Sequence, residues 1–167
     1  MSRLFPRSNP SGLKFTFWII LGCLVVLLDQ LSKYYFQRNL EPMESLPIFG
    51  CLNLVLAHNT GAAFSFLSDA GGWQRYFFSG VAVAVCVGII WLLKRYNHHV
   101  LFSFALTLLA AGAVGNLIDR VHLGYVIDFI DFHVNGWHWP AFNLADAAIC
   151  CGAFGIILDE ILGLRRR

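Results

Sequence analysis

Residues 15–33 read FTFWIILGCLVVLLDQLSK, with 14 uncharged residues from Phe15 to Leu28, then Asp29 and, four positions on, Lys33. A helix needs about 20 mostly apolar residues to cross the hydrocarbon core of a bilayer, so this run spans only if it takes the acid inside. An ionisable group at the centre of a span costs about 2.5–3.5 kcal/mol on insertion scales, and such groups are kept for a purpose. Asp29 and Lys33 stand four apart with the acid first, the favourable order for an ion pair on one helix face, and structural pairing accounts for both. Ser32 and Lys33 suggest a Ser/Lys hydrolase, but adjacent helical residues point about 100° apart and cannot meet as a dyad.

The same pattern recurs at the other end of the chain. Ala147 to Leu158 gives only 12 residues between Asp146 and Asp159, and Trp139–Leu158 reaches spanning length by enclosing Asp146. Between these lie two clean runs, Tyr76–Leu93 with 18 uncharged residues and Val100–Ile118 with 19. The expected fold is an all-α membrane protein of four transmembrane helices, at about 13–36, 74–93, 100–118 and 139–160, in one integral-membrane domain covering residues 1–167. Composition agrees. Hydrophobic residues make up 57% and charged residues 13% of 167, where soluble domains run at about 45–50% and about 25%. With a mean hydropathy of +0.63, so short a chain has too little interior to hide its apolar surface from water. Nothing in the charge pattern suggests nucleic-acid binding. Of five cysteines, Cys23, Cys86, Cys150 and Cys151 lie in apolar runs, where thiols act as small hydrophobes, so no disulfide or metal framework is expected.

Arg3, Arg7 and Lys14 ahead of Phe15–Leu21 and Gly22-Cys23 imitate a secretory signal with a lipoprotein-type cleavage site. The residues after Cys23 stay membrane-like, whereas a processed mature end turns polar at once, so the segment reads as a retained first helix. Eight of the 12 basic residues (Arg3, Arg7, Lys14, Lys94, Arg95 and Arg165–Arg167) fall on one side of a four-span threading, which the positive-inside rule makes cytoplasmic together with both termini. By the same threading Asp29, Glu41, Glu44, Asp69, Asp119, Asp128, Asp131 and Asp146 lie toward the outer side, and only Asp159 and Glu160 at the inner end.

The outer segments carry their own signals. Alternation through Asn53, Val55, Ala57 and Asn59 predicts a small extracytoplasmic β-sheet. Asn59-Thr60-Gly61 supplies a turn, Ala62–Leu67 a short interfacial helix, and Asn135-Gly136 a hairpin. In the strand after Tyr125, period two puts Val126, Asp128, Ile130 and Phe132 on one face and Ile127, Phe129, Asp131 and His133 on the other. Asp128 therefore sits in an apolar row, where desolvation raises a carboxyl pKa, while Asp131 sits beside a histidine and reads as solvated.

Asp119-Arg120 reads as a polar girdle that bonds other acids or lipid phosphate. Gly112, Ala113, Gly115, Gly152 and Gly155 read as close-packing surfaces. No pair among His58, His122, His133 and His138 has zinc spacing. Asp128 and Asp146 remain, brought to the same depth with no local basic partner. Two carboxylates close together in low dielectric share a proton, so one can act as base toward water and the other as acid. Intramembrane carboxylates mark proton or cation conduction as readily as catalysis, and the pair alone leaves both open.

Five ordered motifs narrow the choice: Asp29-Gln30-Leu31-Ser32-Lys33, Asn59-Thr60-Gly61-Ala62-Ala63-Phe64, Gly115-Asn116-Leu117-Ile118-Asp119-Arg120, Val126-Ile127-Asp128-Phe129 and Phe142-Asn143-Leu144-Ala145-Asp146. The chain closely resembles the bacterial lipoprotein signal peptidase family, signal peptidase II, over nearly its whole length. The resemblance implies an intramembrane aspartyl endopeptidase of the bacterial inner membrane that cuts signal peptides from prolipoproteins before a diacylglyceryl-modified cysteine. It implies Asp128 and Asp146 as the catalytic pair, with Asp29, Lys33, Asn59, Gly112, Asn116, Asp119, Arg120 and Asn143 shaping the site. It also implies contact with membrane lipid and inhibition by cyclic-peptide antibiotics; two carboxylates can activate water unaided, so no metal or cofactor is expected. Many members carry Ser after the second catalytic Asp where this chain has Ala147. The rival reading, a small proton- or cation-conducting protein relaying through Asp29, Asp119 and Asp146, needs polar residues through the full bilayer depth, and the inner halves of the four runs hold almost none.

Overall fold

The structure, a computed structural model, describes residues 12–42, 44–61 and 72–163. In chain order these form α1 (Gly12–Asn39), β1 (Ser45–Phe49), β2 (Leu52–Asn59), α2 (Trp73–Tyr96), α3 (Val100–His122), β3 (Val126–Val134), β4 (Trp137–His138) and α4 (Leu144–Leu162). The strands make one antiparallel sheet in the order β1-β2-β3-β4. Three helices, α1, α2 and α3, are long and apolar enough to cross a membrane. The fourth, α4, has 19 residues, among them Asp146, Asp159 and Glu160.

The helices are apolar nearly all round, as lipid-immersed helices are. Leu24, Leu27 and Leu31 of α1, Val81 and Val87 of α2, and Phe154 and Ile157 of α4 all stay exposed. The centre is α3, against which the other three helices pack. Its small residues let the backbones approach, the route by which helices associate where lipid removes the hydrophobic drive. A Cβ at Gly152 would lie 2.6 Å from the carbonyl oxygen of Ala105, one at Gly155 2.9 Å from the Ala105 Cβ, and one at Gly115 2.5 Å from the Asp29 carboxylate. The predicted close-packing surfaces are therefore the α3–α4 seam, with Gly115 admitting α1 as well.

At one end of the bundle Trp18, Ile89, Leu93, Tyr96, Phe102 and Leu106 form an apolar core. At the other end Leu40, Leu56 and Ile127 form a smaller one beneath the sheet. Strands β2 and β3 pair with Asn53 opposite Asp131, Ala57 opposite Asp128 and Asn59 opposite Val126, with a bulge between Leu54 and Ala57. Asn135 and Gly136, both with positive φ (50° and 81°), turn β3 into β4 as the Asn-Gly hairpin signal predicts.

Two expectations need comment. Residues 139–143 are not helical: Trp139 and Phe142 bond to β3 backbone, and α4 starts at Leu144. The interfacial helix expected at Ala62–Leu67 lies outside the described residues.

Candidate active site

The first turn of α4 organises the site. Asn143 caps the helix: its Oδ1 accepts from the Asp146 backbone N–H at 2.9 Å, and the Asp146 carboxylate accepts from the Asn143 N–H at 3.2 Å. Such a reciprocal box satisfies two of the backbone donors that every helix start leaves unpaired. With its oxygen committed, Asn143 can only present Nδ2 outward, and that nitrogen donates to Asp128 Oδ1 at 2.7 Å. The same side chain also reaches the Ile127 carbonyl at 3.1 Å and Asn116 Oδ1 at 3.2 Å. Asp128 and Asp146 thus both bond to one residue.

The second amide is fixed by a buried cation. Lys33, only 1% exposed, makes ion pairs with Asp29 at 2.8 Å and Asp119 at 2.9 Å, and its third bond, 3.0 Å, goes to Asn116 Oδ1. An ammonium group has donors only, so Asn116 must turn its oxygen to Lys33 and its nitrogen to Asp146, where Nδ2 donates to Oδ1 at 2.8 Å. A third amide, Asn59 at the end of β2, donates to Asp128 Oδ2 at 3.0 Å. Every oxygen of both carboxyl groups accepts a hydrogen bond from an amide.

Around this pair the remaining residues tie elements together. Asp29 Oδ1 accepts from the Ala145 N–H at 2.9 Å, joining α1 to α4, and Asp119 Oδ2 accepts from the Ile127 N–H at 3.3 Å, joining α3 to β3 one residue before Asp128. Arg120 donates to the Gly61 carbonyl at 3.1 Å and lies 5.5 Å from the Phe78 ring centre. It braces the strand end and α2 rather than bonding an acid. Gly112 has no room for a side chain, since a Cβ there would run into the Ala145 carbonyl and lie 2.7 Å from Ile149. All ten residues singled out from the sequence meet in one cluster. Gln30 belongs with them although it was not singled out: it donates to Asp119 at 2.9 Å and to the Gly115 carbonyl at 3.2 Å. Its place next to Asp29 on a lipid-crossing helix was the available signal.

Asp128 is 2% exposed. Burial first, and the charge of Asp146 second, push its carboxyl up to about 7 despite the hydrogen bonds from Asn59 and Asn143 and the nearby Lys33. Asp131 corrects its sequence reading: it is buried, not solvated, and its partners are Asn53 Nδ2 at 2.8 Å and His138 Nδ1 at 2.9 Å, with His133 stacked on His138. Burial works against its ionisation, but the bonds from His138 and Asn53 outweigh that and hold it below the ordinary carboxylate range. It takes no part in the Asp128–Asp146 cluster. Among the described residues no three His, Cys, Asp or Glu side chains are grouped to hold a metal ion.

Known proteins resemble this chain over most of its length. The family model described as signal peptidase (SPase) II matches residues 21–162. A lipoprotein signal peptidase of Ralstonia nicotianae is 55% identical over 149 residues, 89% of this chain and 86% of the relative. One from Cupriavidus taiwanensis is 54% identical over the same length, 89% of this chain and 85% of its own. Two solved bacterial membrane enzymes, obtained by the in meso method at 2.3 and 1.9 Å, superpose with TM-scores of 0.79 and 0.76. They are 30% and 31% identical, over 87% of this chain in each case and 88% and 92% of theirs. A family match over residues 21–162, with relatives more than 50% identical over 89% of the chain, means that this chain belongs to the signal peptidase II family.

Proposed function

We propose that this chain is an intramembrane aspartic endopeptidase that removes signal peptides from prolipoproteins by cutting before the diacylglyceryl-modified cysteine. One observation carries the reading: Asp128 and Asp146, from a strand and a helix, bond to the same Asn143 and are held by amides on every oxygen. The pair shares one proton. Asp128, with its carboxyl raised to about 7, keeps that proton near neutral pH. Asp146 stands in the first turn of α4, where the helix dipole favours negative charge. Asp146 then takes a proton from a water that attacks the scissile carbonyl, and Asp128 donates toward the carbonyl oxygen; the roles reverse as the amine leaves.

On this reading α4 is a fourth crossing, its apolar middle between Asp146 and Asp159. Both termini are cytoplasmic, the membrane is the bacterial inner membrane, residues 1–167 act as one protease domain, and the pair faces outward. A lipidated precursor lies in the outer leaflet with its signal helix across the bilayer, so its protease needs acids near the outer interface. The sheet covering the pair supports that depth. Outer-leaflet lipid and cyclic-peptide inhibitors would meet the enzyme at the same place. Conduction is not favoured: Asp29, Asp119 and Asp146 cluster at one end of the bundle, while Ser103 and Thr107 of α3 spend their hydroxyls on backbone carbonyls.

The test is incubation of purified protein with a diacylglyceryl-modified precursor, reading out released signal peptide. Cleavage before the modified cysteine is expected, and none with the unmodified precursor. Cleavage that persists in Asp128→Asn or Asp146→Asn would overturn the assignment.

A further inference from the structure

Helices α1 and α2 each pack on α3 but touch each other little, leaving a groove of about 470 Å³ between them. Its α1 wall includes the row Trp18, Gly22, Val26 and Gln30, and its α2 wall the pair Cys86 and Ile90; α3 lies beneath, from Thr107 to Val114. Within each wall these residues stand four apart, hence on one helix face. Both rows continue past the end of the groove to a lysine: Lys14 stands one turn before Trp18, and Lys94 one turn after Ile90. Both lysines are exposed. They belong to one corner, since Lys94 Nζ lies 5.9 Å from the ring of Phe15, the neighbour of Lys14. Lys14 also acts on the following loop, where burial first and its charge second hold His98 below the usual range. Asp159, at the same end of the bundle, lines a separate cavity.

We propose that this groove binds one anionic phospholipid, with an acyl chain between α1 and α2 and its headgroup phosphate on Lys14 and Lys94. Three features select that occupant. The walls are apolar: the Thr107 hydroxyl and the Cys86 thiol are turned to backbone carbonyls, and the Gln30 amide, committed to Asp29, Asp119 and the Gly115 carbonyl, closes the far end. From Trp18 to Gln30 the groove runs 12 helical residues, about 18 Å, close to one leaflet of a hydrocarbon core about 30 Å thick, so it suits a single chain entering from one side. The entry side carries two cations and suits phosphate rather than a second apolar helix. That this is the inner leaflet rests on the sidedness proposed above; the charge preference does not. The groove lies on the α1–α2 side of α3, whereas the carboxyl pair sits with α4, so the bound lipid is distinct from the substrate.

Native mass spectrometry of the purified protein, titrated in detergent with phosphatidylglycerol or phosphatidylethanolamine of matched chains, tests the proposal without reference to cleavage. One phosphatidylglycerol per chain should be retained in preference to phosphatidylethanolamine. Lys14→Gln and Lys94→Gln should each weaken it about fivefold, as expected for one lysine near an anionic headgroup. In Gly22→Phe the ring enters the groove, because a Cβ there meets only the Thr107 methyl at 3.4 Å, and retention of both lipids should fall while the melting temperature shows an intact fold. Equal retention of the two lipids, a preference that survives loss of both lysines, or a second copy of this chain in place of lipid would overturn it.

Discussion

Replacing Gly112 by Ala adds one methyl group at the point where α3 meets the first turn of α4. The new Cβ would run into the Ala145 carbonyl, with Ile149 Cγ1 at 2.7 Å and the Ile149 N–H at 3.1 Å. Two of these three atoms are backbone, so relief requires α4 to move. At Gly152, about two turns deeper on the same seam, Ala would meet the Ala105 carbonyl at 2.6 Å, and reaching an ordinary 3.4 Å contact needs an opening of about 0.8 Å. The clash at Gly112 is tighter, and α4 recedes there by more. Overpacking of this kind costs about 1–3 kcal/mol, so both variants should melt lower by similar amounts. They should differ in catalysis. Asp146 rides on the turn that Gly112 displaces, and a misplacement of about 1 Å can cost about 100-fold in rate. Gly112→Ala should therefore lose about 100-fold in kcat with KM little changed, and Gly152→Ala only a few-fold. The assay is cleavage of a lipidated precursor by purified variants, alongside melting in detergent. Near-normal turnover by Gly112→Ala, or equal kcat losses in both variants, would refute the idea that this seam positions Asp146.

Asp128→Asn and Asp146→Asn should each lower cleavage by at least about 1,000-fold, the scale of general acid–base catalysis, and the double variant should be hardly worse, whereas Asp131→Asn keeps most activity. Precursor processing in cells with membrane levels quantified is the check. Because burial raises the Asp128 carboxyl to about 7 and the proposed mechanism uses its proton, kcat/KM should fall as pH climbs through about 7. The Asn59 bond favours the ionised form, so Asn59→Ala should carry that fall to higher pH in a pH–rate profile. Lys33→Met leaves Asp29 and Asp119 buried without their cation and should cost about 3–5 kcal/mol, seen as a large drop in melting temperature. Turnover should survive EDTA; loss that zinc restores would point to the outer histidines instead.

Much of this was legible because lipid leaves so few choices. Charges interrupting apolar runs located the four helices found among the described residues and drew attention to Asp29 and Asp146, since a charge stands out where nearly everything else is hydrocarbon. Period two put Asp128 in an apolar row, and it is buried. The same rule misled at Asp131: alternation shows that it faces away from Asp128 but not that β4 folds back and covers it with His138. The start of α4 was misplaced because length was counted by hydropathy, although Asn143-Leu144-Ala145-Asp146 holds the spacing of a capping box and marks the helix start directly. Gln30 was passed over because an amide carries no charge to betray it, and two of its three partners lie more than 80 residues away.

The double grip of Asn143 on both acids sets how the pair responds to mechanical load. A change in bilayer thickness tilts and shears helices against one another, and any site assembled across several of them would open or close with the membrane. Here the gap between the two carboxyl groups is spanned by a single side chain and its own backbone, a matter of a few covalent bonds. The start of α4 and the Asp128 end of β3 therefore travel together, and the bonds of Lys33 and Asp29 tie α3 and α1 to them. On the proposed mechanism, the distance that matters for proton transfer is thereby insulated from the thickness and composition of the surrounding lipid.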